Sequence, residues 1–238
     1  LFFFFFDASY GDAVRYLRQE NGGLSSARNA GMEVAGGDVI AFLDDDDVWL
    51  PGKIEKQLAL LERLRAEGHE VGLISTAFIY TDERLNEVSR CSMPYAGDVF
   101  DELMLTDVVG LPSSVIIPRE VLQDVGGFDE HLKACEDYDL WLRIAARYEI
   151  FSLNEYLVQY RQRPSTLSKD PEKMVAANRR VTEMLIAREA LDEPTAEAIW
   201  ASRRRNYAQR HRRHGYELLK INGDACGYRG ELARAHGF

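Results

Sequence analysis

A chain of 238 residues, 46% hydrophobic and 29% charged, has the balance of a folded globular protein with room for one large domain or a domain and an appendage, and not that of a disordered or membrane-embedded chain. Its formal charge of −10 would repel nucleic-acid phosphates, so no nucleic acid is expected among its partners. The three cysteines, Cys91, Cys135 and Cys226, are too few and too far apart for a disulfide framework or a zinc site, which suits a reducing cytoplasmic setting.

In chain order, Leu1 to Phe6 is apolar but far shorter than the about 20 residues of a spanning helix, and it lacks the basic flank of a signal peptide. It reads as a buried strand or as the ragged start of a fragment. Apolar runs at Val14 to Leu17, Val39 to Leu43, Val71 to Tyr80, Val115 to Ile117 and Tyr156 to Tyr160 predict strands. Between them, Lys53 to Arg65 places Ile54, Leu58, Leu61 and Leu64 on one helical face, and Tyr138 to Ala146 follows the same spacing. This alternation predicts an α/β fold with a mostly parallel sheet flanked by helices. From Pro171 the pattern turns to near-continuous helix, broken at Asp192-Glu193-Pro194 and near Asn222-Gly223. A boundary near residue 170 therefore divides one domain, residues 1–170, from a C-terminal helical extension, residues 171–238.

Three stretches carry chemistry. Gln19 to Gly31 (QENGGLSSARNAG) combines a glycine turn, a serine cap and Arg28 one turn into a helix. Helix N-termini attract anions and a guanidinium matches phosphate oxygens, although a plain turn with a capped helix explains the stretch almost as well. Next, the strand Val39 to Leu43 runs straight into Asp44-Asp45-Asp46-Asp47, where the carboxyl end of a strand in an open α/β sheet meets ligands. Four adjacent carboxylates repel one another unless a cation or hydrogen-bond donors offset them. Oxygen-only ligands suit Mg²⁺ or Mn²⁺, which commonly bridges protein carboxylates to substrate phosphates; the bland alternative is a solvated acidic turn. Last, Gly126-Gly127-Phe128-Asp129-Glu130 precedes a helix that opens with Glu136 and Asp137. The positive end of that helix favours ionised carboxylates, one of which could take a proton from a hydroxyl, but helix capping alone explains an isolated pair more readily.

Together QENGGLSSARNAG, VIAFLDDDDVWLPGKIEKQ, SSVIIPREVLQDVGGFDE and EDYDLWLRIA resemble the family 2 glycosyltransferases of the GT-A fold, over about residues 12–168. The resemblance implies a metal-assisted, inverting transfer of a sugar from a nucleotide-sugar donor, most simply a UDP-sugar, to a hydroxyl of a saccharide or lipid-linked acceptor. Asp44-Asp45-Asp46 resembles the family's DXD-type element. It implies Asp46 as direct ligand of a divalent Mn²⁺ or Mg²⁺, with Asp44 and Asp45 near the ribose, diphosphate or metal shell. Asp137, in the Glu136-Asp137 pair, matches the catalytic base, and Arg28 would lie near the donor nucleotide. Tyr160-Arg161-Gln162-Arg163-Pro164-Ser165 looks like the tail motif that closes over the diphosphate. Arg163 stands where the family often carries histidine, which keeps a phosphate-binding cation and removes a possible metal ligand.

The family opens with a strand-helix unit and a second strand ending in an Asp-Asp-Gly-Ser-like segment, whereas this chain reaches Tyr10-Gly11-Asp12 almost at once. Phe2 to Phe6 with Asp7-Ala8-Ser9 is the expected remnant of that second strand. Either the sequence is a fragment or its nucleotide pocket is incomplete, and a non-catalytic or decayed nucleotide-sugar or metal-binding module is the alternative to an enzyme. In the helical extension, Trp200, Tyr207, His211, His214 and Leu218 form one stripe, with Arg203, Arg204, Arg205, Arg210, Arg212 and Arg213 crowding the other sides. The ordinary expectation is a packed stripe with solvated arginines. The other is a peripheral contact with an anionic membrane.

Overall fold

The structure, a computed structural model, describes residues 14–163 and 170–222, with the side chains of residue 171 and residues 210–222 outside that description. The expectations for Leu1 to Phe6, Asp7, Pro164, Ser165, Cys226 and the side chains of Arg210 to Leu218 therefore lie outside the described residues.

Two compact units divide the chain: Leu1–Val99 with Val109–Gln162, and Phe100–Val108 with Arg163–Phe238. In the first, helix α1 (Leu24–Val34) leads to strand β1 (Val39–Ala41), and β2 (Val48–Trp49) to helix α2 (Lys53–Ala66). The central strand β3 (Val71–Thr81) turns back into β4 (Glu87–Cys91), followed by β5 (Ala96–Gly97). A 3-10 turn (Pro112–Ser114), β6 (Ile116–Pro118), helices α4 (Arg119–Val125) and α5 (Glu136–Ala145), and β7 (Glu149–Arg161) complete the unit. Helix α3 (Phe100–Leu105) belongs to the second unit.

The path through the sheet is β1-β6-β3-β7-β2, with β4 beside β3 and β5 beside β7. Helices flank it as expected, but a mostly parallel sheet is not what forms. Among the described strands, β3 and β7 are the one parallel pair, and β1–β6, β6–β3, β2–β7, β3–β4 and β5–β7 are antiparallel. Alternating runs predict parallel pairing only if a helix crosses over between each strand and its neighbour, and here β4 follows β3 through a tight turn at Leu85 with positive φ. The run at residues 14–17 is not a strand: Val14, Tyr16 and Leu17 are exposed and the segment has no regular structure.

β3 is buried along almost its whole length, which is why it reads as an unbroken apolar run rather than an alternating one. Leu61 and Leu64 of α2 pack with Val71 and Ile74 of β3, Ile116 and Phe151. On α5, Trp141, Leu140, Leu142 and Ile144 are wholly buried. Gly72 lets this helix approach: a Cβ there would stand 2.6 Å from Ile144 Cγ2 and 2.5 Å from Tyr148 Cβ.

The second unit packs α6 (Pro171–Arg188) and α7 (Glu193–Asn222) with α3. Val181, Leu185, Ile199 and Tyr207 are buried, so part of the apolar stripe does pack inward. Arg203 corrects the expectation of solvated arginines. It is 3% exposed, and its guanidinium donates to Met104 O (2.8 Å), Leu105 O (3.1 Å) and Thr182 Oγ1 (3.2 Å). Those acceptors include carbonyls at the C-terminal end of α3, where helices leave carbonyls without intrahelical donors. No helix among the described residues is long and apolar enough to cross a membrane.

Candidate active site

The acidic run is a tight turn between β1 and β2, closed by Asp47 N–H donating to Asp44 O at 3.1 Å. Its four aspartates occupy different environments. Asp45 is exposed, Asp44 and Asp46 are half-buried, and Asp47 is buried. Ser113 holds the start of the turn, its Oγ accepting from Asp44 N at 3.0 Å, and its carbonyl accepts from Trp49 Nε1 at 2.7 Å. Arg161, the last residue of β7, holds the end: its N–H donates to Asp47 Oδ1 at 3.2 Å and its Nε to Asp46 O at 3.0 Å. Val48 pairs with Gln159, which brings the acidic turn alongside Arg161. Asp47 Oδ2 is buried without a hydrogen-bond partner. Burial pushes the Asp47 carboxyl up to about 6, against the pull of the Ser113 hydroxyl and the Arg161 amide, and the charges of Asp44 and Asp46 push the same way.

Beneath the turn, Lys53 lies with its Nζ 4.4 Å from the centroid of the Trp49 ring and donates to Gln57 Oε1 at 2.8 Å. Gln57 in turn donates to Ile74 O and Ser114 O, so the polar atoms of this buried pair are satisfied. Burial alone lowers the Lys53 pKa to about 7.

Arg28 joins the acidic turn to the start of α5. Its two terminal nitrogens donate to Asp44 Oδ1 and to Glu136 Oε1, each at 2.7 Å, across 16 and 108 positions of sequence. The guanidinium is nearly buried, with its carbon 5.1 Å from the centroid of Phe128, whose ring meets Phe42 edge-on at 5.2 Å. Burial opposes the charge on Arg28, and Asp44, Glu136 and Asp137 together outweigh it and raise the pKa above its ordinary value. A cleft of about 340 Å³ bordered by Arg28, Met32, Phe42 and Leu43 opens beside this cluster.

Asn29 makes the second tie. Its side-chain amide accepts from Phe128 N and donates to Phe128 O, both at 2.9 Å, and donates to Glu130 Oε1 at 3.0 Å. A Cβ at Gly127 would lie 2.5 Å from Asn29 Oδ1, so a glycine is required at this approach. Arg143 clasps the same turn from α5, donating to Val125 O, Gly126 O and Gly127 O while paired with Asp139 at 2.8 Å. These contacts fix the first turn of α5. There Glu136 is buried against Arg28, whereas Asp137 is half-buried, with Oδ1 accepting from Tyr138 N at 2.7 Å.

Arg28, Asp44, Glu136 and Asp137 thus converge, and Arg161 meets the main chain of Asp46 and the side chain of Asp47. Arg163 is exposed and belongs to the second unit. The serine cap is not found: α1 is capped by Gly23 without a side-chain hydrogen bond, and Ser25 is buried inside the helix. The residues missed by sequence reasoning are the connectors Asn29, Ser113 and Phe128 and the structural role of Asp47. Asn29 and Phe128 stood within the quoted motifs, but no spacing rule pairs positions 99 residues apart. Among the described residues no group of three or more His, Cys, Asp or Glu side chains is placed to hold a metal ion unaided.

A family model described as glycosyltransferase-like family 2 matches residues 8–196. The chain belongs to this family. Similar curated proteins include an uncharacterized glycosyltransferase of Rickettsia prowazekii, 32% identical over 158 residues that cover 64% of this chain and 48% of the relative. An uncharacterized glycosyltransferase of Haemophilus influenzae is 27% identical over 69% of this chain and 56% of its own length. The chain thus spans about half the length of these relatives. Among solved structures, S. aureus TarS 1–349 superposes with a TM-score of 0.58 at 18% identity, covering 92% of this chain and 62% of that one. The same TarS segment in complex with UDP-GlcNAc gives 0.56 at 16% identity, covering 96% and 65%. The likeness establishes a GT-A fold for this chain.

Proposed function

We propose that this domain transfers a sugar, with inversion, from a UDP-sugar to a hydroxyl of a saccharide or lipid-linked acceptor. The observation that carries the reading is Arg28, which brings the acidic turn and the Glu136–Asp137 helix start to one place with a 2.7 Å ion pair to each. The TarS complex with UDP-GlcNAc supports a nucleotide-sugar donor and names the first one to assay. Asp137 takes the proton of the acceptor hydroxyl as its oxygen attacks the anomeric carbon. The bond from that carbon to the diphosphate oxygen breaks, and the electron pair leaves with the nucleoside diphosphate. Glu136, occupied by Arg28, orients the helix start rather than touching the acceptor. Asp46, with Asp44 beside it, would hold a divalent Mn²⁺ or Mg²⁺, which supplies neutralising charge to the departing diphosphate. Arg161 fixes the turn that presents these carboxylates, and Asp45 would add polar contacts to the donor.

UDP-GlcNAc turnover with Mn²⁺ and binding of UDP by calorimetry test the reading together. Asp137→Asn is expected to lose about 10²–10⁴-fold in turnover, the usual contribution of a general base, with UDP binding retained. Asp46→Ala is expected to remove the Mn²⁺-dependent part of UDP affinity. Loss of binding in Asp137→Asn equal to its loss of turnover would take the base role from that residue.

A further inference from the structure

The four aspartates are not equivalent, and two features of the turn do not belong to any ligand-facing role. Ser113 is fully buried, and its one side-chain oxygen accepts from Asp44 N while its carbonyl accepts from Trp49 Nε1. The residue after Asp46 sends its carboxylate inward, where one oxygen accepts from Arg161 N. Asp44 O and Asp47 N close the turn on themselves at 3.1 Å. From these contacts we infer that Ser113 and Asp47 are positioning residues that pre-form the acidic turn before any ligand arrives, Ser113 by anchoring Asp44 and Asp47 by anchoring the turn to the end of β7. The consequence is a division of labour in which the main chain of Asp44 and the carboxylate of Asp47 hold the turn, leaving the carboxylates of Asp44, Asp45 and Asp46 for the donor and its metal. A turn already closed in the free protein presents its carboxylates without an ordering step on binding.

This inference rests on the nucleotide-sugar reading for its use, but its geometry can be measured without any ligand. Hydrogen–deuterium exchange of peptides covering residues 43–50 in the full chain, without metal, reads the closure of the turn. Calorimetry with UDP and Mn²⁺ reads what the closure is worth. In Ser113→Ala and Asp47→Leu, exchange of the turn is expected to accelerate about tenfold, as for one lost buried hydrogen bond, and UDP·Mn²⁺ affinity to fall by about the same factor. Asp47→Asn keeps an oxygen for the Arg161 amide and restores the protection that leucine removes. Leu61→Ala, a core truncation that touches none of the hydrogen bonds of the turn, lowers stability while leaving turn exchange within about twofold of the parent.

Exchange in Ser113→Ala no faster than in Leu61→Ala overturns the role of Ser113, and Asp47→Asn behaving like Asp47→Leu overturns that of Asp47. If Asp47→Leu does not fold, Asp47→Asn losing turn protection overturns the role of Asp47 by itself. Absence of UDP·Mn²⁺ binding by the unsubstituted chain would remove the donor reading instead, with exchange still deciding the two positioning roles.

Discussion

Two runs of like charge, Asp44 to Asp47 and Arg203 to Arg205, look alike in sequence and resolve differently in three dimensions. In each, one member is buried and the others are less so: Asp47 and Arg203 are inside, Asp44 and Asp46 are half-buried, and Asp45, Arg204 and Arg205 are exposed. Arg203 reaches three acceptors with three nitrogens, so its charge is well solvated by the protein. Asp47 keeps one oxygen without a partner, so its charge is poorly solvated and its carboxyl holds a proton up to about 6. A buried charge therefore stabilises or burdens a fold according to how fully it is hydrogen-bonded, and the sign of the run tells nothing of this.

The contrast can be broken in three ways. Arg203→Ala should have the largest effect, about 3–5 kcal/mol by urea denaturation, because two main-chain carbonyls and Thr182 lose their donor in a buried place. A loss below about 1 kcal/mol would mean water replaces the guanidinium. Asp47→Asn should act in the opposite direction and with pH. A carboxyl whose folded pKa is raised from 3.8 to about 6 binds its proton more tightly in the native state, so its contribution is most favourable below about pH 4 and is lost as pH rises through 6. In metal-free buffer the asparagine variant should therefore be more stable than the parent by roughly 1–2 kcal/mol above pH 6, with the gain vanishing at pH 4. A gain independent of pH would assign the effect to packing. The smallest changes belong to the exposed members: Arg204→Ala breaks a pair with Glu197 whose side chains are 44% and 65% exposed, and should shift stability by no more than about 0.5 kcal/mol.

Much of the fold was legible from apolar spacing. The α2 face with Ile54, Leu58, Leu61 and Leu64 packs on the core cluster, and β3 runs one residue beyond its expected end. The extent of β7 was not, because Ser152, Asn154 and Glu155 interrupt its apolar pattern while its main chain still pairs with β3. Strand direction is not legible in an apolar run, because the run says nothing of the partner, and Val14 to Leu17 shows that without a partner such a run need be neither buried nor a strand. At the site, Asp44, Glu136, Asp137 and Arg28 were named from their motifs. What could not be read was that Arg28 would spend both ends of its guanidinium on two of them, since the partners are brought together only by the sheet and by Asn29 gripping Phe128.

Gly72 gives the active region a remote adjustment point. Helix α5 is ten residues long, a rod of about 15 Å with Glu136 and Asp137 at one end and Ile144, seated on Gly72, near the other. Arg143, beside Ile144, ties the same end of the helix to the turn at Val125 and Gly127. A side chain at position 72 would push against Ile144 and Tyr148 at the far end. The helix that carries two acidic residues at its start thus owes its seat on the sheet to the missing methyl of a residue in the central strand, and adding that methyl would overpack the contact at a cost of about 1–3 kcal/mol.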